Sequence, residues 1–187
     1  MDEARLIRLL ERLAIAAVSL AVSIGAIAAL SGFFAGRDAP GVSGGGSTGP
    51  GLTFKDLGHA HLQPGQSHPA YNSRPPTSGA HFARAVTRER ARLSVDQLLE
   101  SLELGDVVIE YGGSRPPPGL RELARSLAPP FTPALAAAGQ AVILARRSRT
   151  AGLIALSWTH VLQVSAPSDR TLREFVQSWL GRGAPGR

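Results

Sequence analysis

Four of the five histidines, His59, His61, His68 and His81, crowd into a Pro/Gly/Ser-rich stretch that ends in YNSRPPTSGAHF, residues 71–82. His59 and His61 are two apart, so in an extended segment both rings point to the same side. That spacing suits a shared metal ion, with imidazole nitrogens about 2.0–2.1 Å from zinc; an HxH pair in a loop also suits plain solvation. The chain has no cysteine and its single methionine is Met1. Thiolate zinc clusters, disulfides, iron–sulfur centres, thiol nucleophiles and thioether copper(I) sites are thereby excluded. A metal here needs imidazole, carboxylate and water, a donor set that favours zinc, copper(II) or nickel over calcium. The candidate ligands are His59, His61 and His81, with His68 and Glu100 as supplements.

The loop itself is stiff. Pro75 and Pro76 impose extended geometry and restrict Arg74. Thr77, Ser78 and Gly79 form a turn in which Gly79 is free to take a positive φ. Tyr71, Asn72, Pro75, Pro76, Thr77, Ser78 and Gly79 thus make a motif loop that delivers His81, and the same loop fits packing over a sheet with Tyr71 and Phe82 as plugs. Ser78 near His81 is the one nucleophile–base candidate, and no GxSxG elbow accompanies it. The sequence does not support a classical enzyme.

The elements that would carry this loop follow it. Ser94 to Leu104 reads as a helix with a capping box from Ser94 and Gln97, a buried stripe of Val95, Leu98, Leu99 and Leu102, and Gly105 as its stop. Glu100 and Glu103 share a helical neighbourhood, where solvation is the ordinary fate of such a pair. Asp106–Tyr111 is a strand. Leu120–Ala128 is a helix stopped by Pro129-Pro130, and Thr132-Pro133 caps a short turn. Gln140–Arg146 and Gly152–Val164 read as strands joined by an exposed hairpin-like loop. His160 falls among apolar neighbours in the second of them, as a buried histidine bonded to backbone. Ser168 caps a last helix through Leu180. The order predicts an α+β domain over 52–180, with a small, mainly antiparallel sheet covered on one face by helices, and a disordered basic tail at 181–187.

Ahead of this domain, residues 13–34 carry no charge. As a helix they span roughly 33 Å, enough to cross a hydrocarbon core. Arg5, Arg8 and Arg12 before the span outweigh Arg37 after it, which keeps the N-terminus cytoplasmic and sends the domain outward. Residues 1–12 extend the helix inward, and 35–51 form a flexible linker. The bulky Phe33-Phe34 pair spoils a signal-peptide cleavage site, so the expectation is an uncleaved single-pass transmembrane anchor. The formal net charge of +6 comes almost wholly from arginine, Lys55 being the sole lysine. No basic run with interleaved aromatics points to nucleic acid.

The motif Tyr71-Asn72-Ser73, Pro75-Pro76-Thr77-Ser78-Gly79 and His81, preceded by His61, resembles the domain of unknown function 3105 family of bacterial proteins. Leu102-Glu103, Gly105, Val107-Val108, Ser157-Trp158 and the closing helix extend the resemblance over most of 52–180. The resemblance implies an N-terminal membrane segment and a histidine set suggestive of a metal site. Where the family's pattern has an HNLEHGG segment, this chain reads ESLELGD over 100–106, with Glu100 and Leu104 in place of the two histidines. Two functions emerge as expectations. One is a membrane-anchored extracytoplasmic accessory or interaction module, with the lipid bilayer and another membrane protein as partners. The alternative is a histidine-based metal-binding or metal-handling protein that uses the 59–81 loop, with zinc or copper(II) as the ion.

Overall fold

A computed structural model describes residues 49–186. The anchor expected over 13–34 and most of the linker lie outside the described residues. Among the described residues, no helix is long and apolar enough to cross a membrane.

The strands are β1 (Leu52–Thr53), β2 (Val107–Tyr111), β3 (Val142–Arg146), β4 (Leu153–Ser157) and β5 (His160–Val164); the helices are α1 (Val95–Leu104), α2 (Leu120–Leu127), α3 (Pro133–Ala137) and α4 (Arg170–Trp179). They form a mixed α+β domain around one five-stranded sheet of order β1-β5-β4-β2-β3. β2 and β3 are parallel, with Val107 opposite Val142, and the other pairings are antiparallel.

β2 lies between β4 and β3 and is buried along its whole length. A strand buried end to end must be covered on both faces, and this one is. Val107, Ile109 and Tyr111 pack with Leu144 and Ala155 against Leu120 and Leu123 of α2 and Leu172, Phe175 and Val176 of α4. Val108 packs with Ile143 and Leu156 against Leu98 and Leu102 of α1 and Ala136 of α3. The expected single layer of helices is therefore two layers. The apolar run Val107-Val108-Ile109 permits both, because period-2 alternation sends each neighbour to an opposite face.

Two further expectations change. Gly152–Val164 is not one strand but a tight hairpin, with Ser157 opposite His160 and Thr159 at φ 62°; the alternating apolar positions on either side hide a turn made of Trp and Thr. The loop 147–152 does not join a hairpin either, because β2 lies between β3 and β4. The open edge of β3 is closed by the segment before α1, where Arg90 N donates to Leu144 O and Arg146 N donates to Ala91 O. This covers an edge that would otherwise invite pairing with another chain.

α1 has the expected capping box, with Ser94 Oγ accepting from Gln97 N at 3.1 Å. At α4 the N-cap is Asp169 rather than Ser168, its carboxylate accepting from Thr171 N at 3.0 Å. The residues expected as a disordered tail pack back on α1: Gly181 N donates to Gly105 O and Ala184 N to Glu103 O. A Cβ on Gly183 would stand 2.0 Å from the Glu103 carbonyl oxygen, so only glycine allows this approach.

Asp106, between α1 and β2, is fully buried. One carboxyl oxygen accepts from Ala141 N at 2.7 Å, and the other has no hydrogen-bond partner among the described residues. Burial pushes its pKa up to about 8, against the smaller opposing effect of the Ala141 bond. A raised folded-state value means the folded protein holds a proton that the unfolded chain releases near pH 4. The resulting stability is full below that pH and declines as pH rises, by at most about 1.4 kcal/mol per unit, until the folded group ionises. Asp106→Asn, which mimics the protonated carboxyl, is expected to flatten the fall in urea midpoint between pH 5 and pH 8, measured with chelator present. An unchanged slope would assign the pH dependence to other groups.

Candidate metal centre

The segment 54–82 lies over α1 and the tip of the β4–β5 hairpin as a flap, and its local bonds explain the motif. Thr159 N at the hairpin tip donates to Thr77 O, and Phe54 N donates to Thr159 O. Ser78 Oγ accepts from Leu57 N at 3.1 Å. Asn72 Nδ2 donates to Lys55 O at 2.7 Å, Tyr71 Oη donates to Ala80 O at 2.9 Å, and Ser73 and Thr77 join through their hydroxyls at 3.1 Å. Pro75 and Pro76 are buried beneath the loop. Gly79 takes φ 121°, and a Cβ there would meet the Tyr71 ring at 3.0 Å. These residues hold the loop's shape. Ser78 is engaged by flap backbone and does not bond His81.

The shape serves His81. His61 and His81 form a parallel β-bridge, secured by Leu62 N donating to His81 O at 2.8 Å and His81 N donating to Ala60 O at 3.1 Å. Residues paired across a bridge send their side chains to the same side, and the two rings lie 5.3 Å apart at 81°. His81 Nδ1 lies 2.9 Å from the Gly79 carbonyl, which can only accept, so Nδ1 carries the hydrogen. Nε2 then faces α1. A ring with one nitrogen bonded to backbone and the other turned away from it is how ligating histidines are commonly oriented.

What Nε2 faces is a pair of carboxylates. Asp96, Glu100 and Glu103 recur at i, i+4 and i+7 along α1, forming one stripe toward the flap, while Leu98 and Leu102 face the sheet. His61 Nε2 lies 3.5 Å from Glu100 Oε2 and 3.2 Å from Glu103 Oε2. His81 Nε2 lies 3.6 Å and 3.3 Å from the same two atoms. One donor atom from each of the four residues lies within 4.8 Å of the others. His81 is 0% exposed and Glu103 4%. Neither His81 Nε2 nor Glu100 Oε2 has a hydrogen-bond partner among the described residues. Orphaned buried polar atoms are uncommon and call for an explanation.

Asp96, the first acid of the stripe, fastens the flap rather than joining the cluster. Its Oδ1 accepts from His68 Nε2 at 2.6 Å and from Phe82 N, next to His81, at 3.1 Å. Burial alone would raise the pKa of this carboxyl. The bonds from His68 and Phe82, with the charges of His68 and Arg84, outweigh burial and hold it below the usual range.

Of the sequence-derived ligands, the structure brings together His61, His81 and Glu100 and leaves out His59 and His68. The ring of His59 meets the edge of Trp158 at 6.3 Å. The bridge is a single pair long, so nothing extends the strand's alternation back to His59. Glu103, expected as a solvated partner of Glu100, completes the cluster in its place; the acid stripe at i, i+4, i+7 opposite a leucine stripe was the signal for it. His160 lies elsewhere, bonded to the Trp158 carbonyl at 2.7 Å and stacked on Trp179 at 3.6 Å. Burial lowers its pKa, the bond to Trp158 opposing. A groove of about 560 Å³ runs along Tyr71–Arg74 with Phe54, Val95 and Arg147 and contains none of the four clustered residues. Its location does not bear on their chemistry.

Fold and cluster together define an α+β domain in which a proline-stiffened flap sets two imidazoles over a pair of helical carboxylates. The family model described as a protein of unknown function, DUF3105, matches residues 61–186, and the chain belongs to that family. No curated protein and no solved structure matches the chain.

Asp96→Ala is expected to remove the tie at Phe82 and cost about 1–3 kcal/mol of local stability. Amide exchange at Phe82 and His81 would quicken while that of β2 stays slow. Unchanged exchange at Phe82 would mean that other flap contacts hold it alone.

Proposed function

We propose that the protein is a membrane-tethered extracytoplasmic module whose globular domain binds a divalent transition-metal ion through His61, His81, Glu100 and Glu103. The observation that carries this reading is the convergence of two imidazole nitrogens on two carboxylate oxygens around a fully buried His81 whose Nε2 has no hydrogen-bond partner among the described residues. His61 Nε2 is hydrogen-bonded to Glu103 Oε2 at 3.2 Å, and a cation would take the place of the proton between them. Two imidazoles with two carboxylates suit first-row transition ions and zinc, not calcium. The tether rests on the uncharged stretch 13–34 and its arginine bias.

Full-length protein, stripped with chelator and titrated with zinc, is expected to take up about one equivalent per chain. His81→Ala should weaken uptake by more than about 100-fold, beyond the effect of losing an outer hydrogen-bond partner. His59→Ala and His68→Ala should leave the stoichiometry intact. Equal affinity in the parent and His81→Ala proteins would reject the site. Recovery of the full-length chain in the soluble cell fraction would reject the tether.

A second reading, an accessory module that contacts another membrane protein, is favoured by the exposed arginines Arg84, Arg88, Arg90 and Arg92 ahead of α1. It predicts co-purification with a membrane complex that survives chelation.

A further inference from the structure

The four residues come from two separate pieces of the chain. His61 and His81 belong to the flap, Glu100 and Glu103 to α1. Resting on the metal-binding reading above, we infer that one ion held jointly by these four side chains staples the flap to α1.

The spacing of the donors carries the joint. The four imidazole–carboxylate separations are 3.2, 3.3, 3.5 and 3.6 Å, and one donor atom from each residue lies within 4.8 Å of the others. Each of those four separations runs from a flap histidine to an α1 carboxylate, so an ion among them is bonded to both pieces of chain. Calcium takes oxygen donors, and half of this set is imidazole.

Charge and burial agree with that choice. A divalent ion with two carboxylates and two neutral imidazoles sums to zero, the sum that costs least where His81 and Glu103 are out of water. The His61 side chain stays 43% exposed, so the cluster opens to solvent on the flap side. The supporting shell is built to match: Gly79 O orients His81, and the chain after α4 fixes the far end of α1 through Ala184 N on Glu103 O. The consequence is mechanical. Within the cluster the ion is the crosslink between flap and helix, so its removal loosens residues 54–82 and leaves the sheet in place.

Cobalt(II) tests the shared ligand set, because its visible bands change with the donors bound to it. Full-length protein in detergent, stripped and loaded with one equivalent of cobalt(II), is expected to show bands that both His81→Ala and Glu100→Gln shift or weaken. Stoichiometric binding with bands unmoved by Glu100→Gln would overturn the bridging of flap and helix and leave metal binding standing. Failure to take up either cobalt or zinc would overturn the metal-binding reading itself. Amide exchange tests the staple. Zinc is expected to slow exchange at Leu62, Gly79 and His81, whose amides secure the bridge and loop, by at least about tenfold, without effect on β2. Stoichiometric zinc with unchanged exchange at those three amides would overturn the structural role.

Discussion

The arrangement that everything near the site depends on is a single β-bridge. One pair of residues, His61 and His81, is joined by two backbone hydrogen bonds. That pairing puts two imidazoles on the same side of the flap and above the same turn of α1. A bridge of one pair has little stability of its own, since isolated two-stranded pairing is marginal in water. It persists because the flap is bonded at several other points, to the β4–β5 turn through Thr77, to its own start through Asn72 and Ser78, and to α1 through Asp96.

This dependence gives the conspicuous motif a meaning that is more mechanical than chemical. Prolines, Ser78, Asn72 and Gly79 look like site residues when read as letters. In the fold they hold a loop whose product is the buried ring of His81 with one nitrogen satisfied by Gly79 and the other bare. The chemistry is concentrated in four side chains, two of which lie on a helix outside the motif. The chain's end takes part as well, because Gly183 lets the backbone approach the Glu103 carbonyl.

Much of the domain was legible before any coordinates. Ser94 with Gln97, the leucine spacing that follows and Gly105 define α1 by local physics alone, and Val107–Tyr111 is a strand by composition. Where the sequence misled, a tertiary fact was missing. The stretch from Leu153 to Val164 keeps an apolar residue at nearly every second position and gives no sign of its turn, because Trp158 and Thr159 are not turn residues by preference; the turn is held by Thr77 and Phe54 from the flap. The second helical layer was hidden because a run buried on both faces has no alternation to count. The end of the chain seemed free because backbone contacts made through glycine leave no side-chain signature.

The sequence by itself determined which kinds of donor exist here: imidazole and carboxylate, with thiol excluded, in a proline-stiffened stretch ahead of an amphipathic helix. Donor chemistry is a property of residue type, so composition suffices for it. Only the tertiary structure decided that His61, His81, Glu100 and Glu103 meet while His59 and His68 do not. Meeting depends on the bridge register, which the motif's own bonds hold, and on the rotation of α1 about its axis, which the packing of Leu98 and Leu102 on the sheet sets.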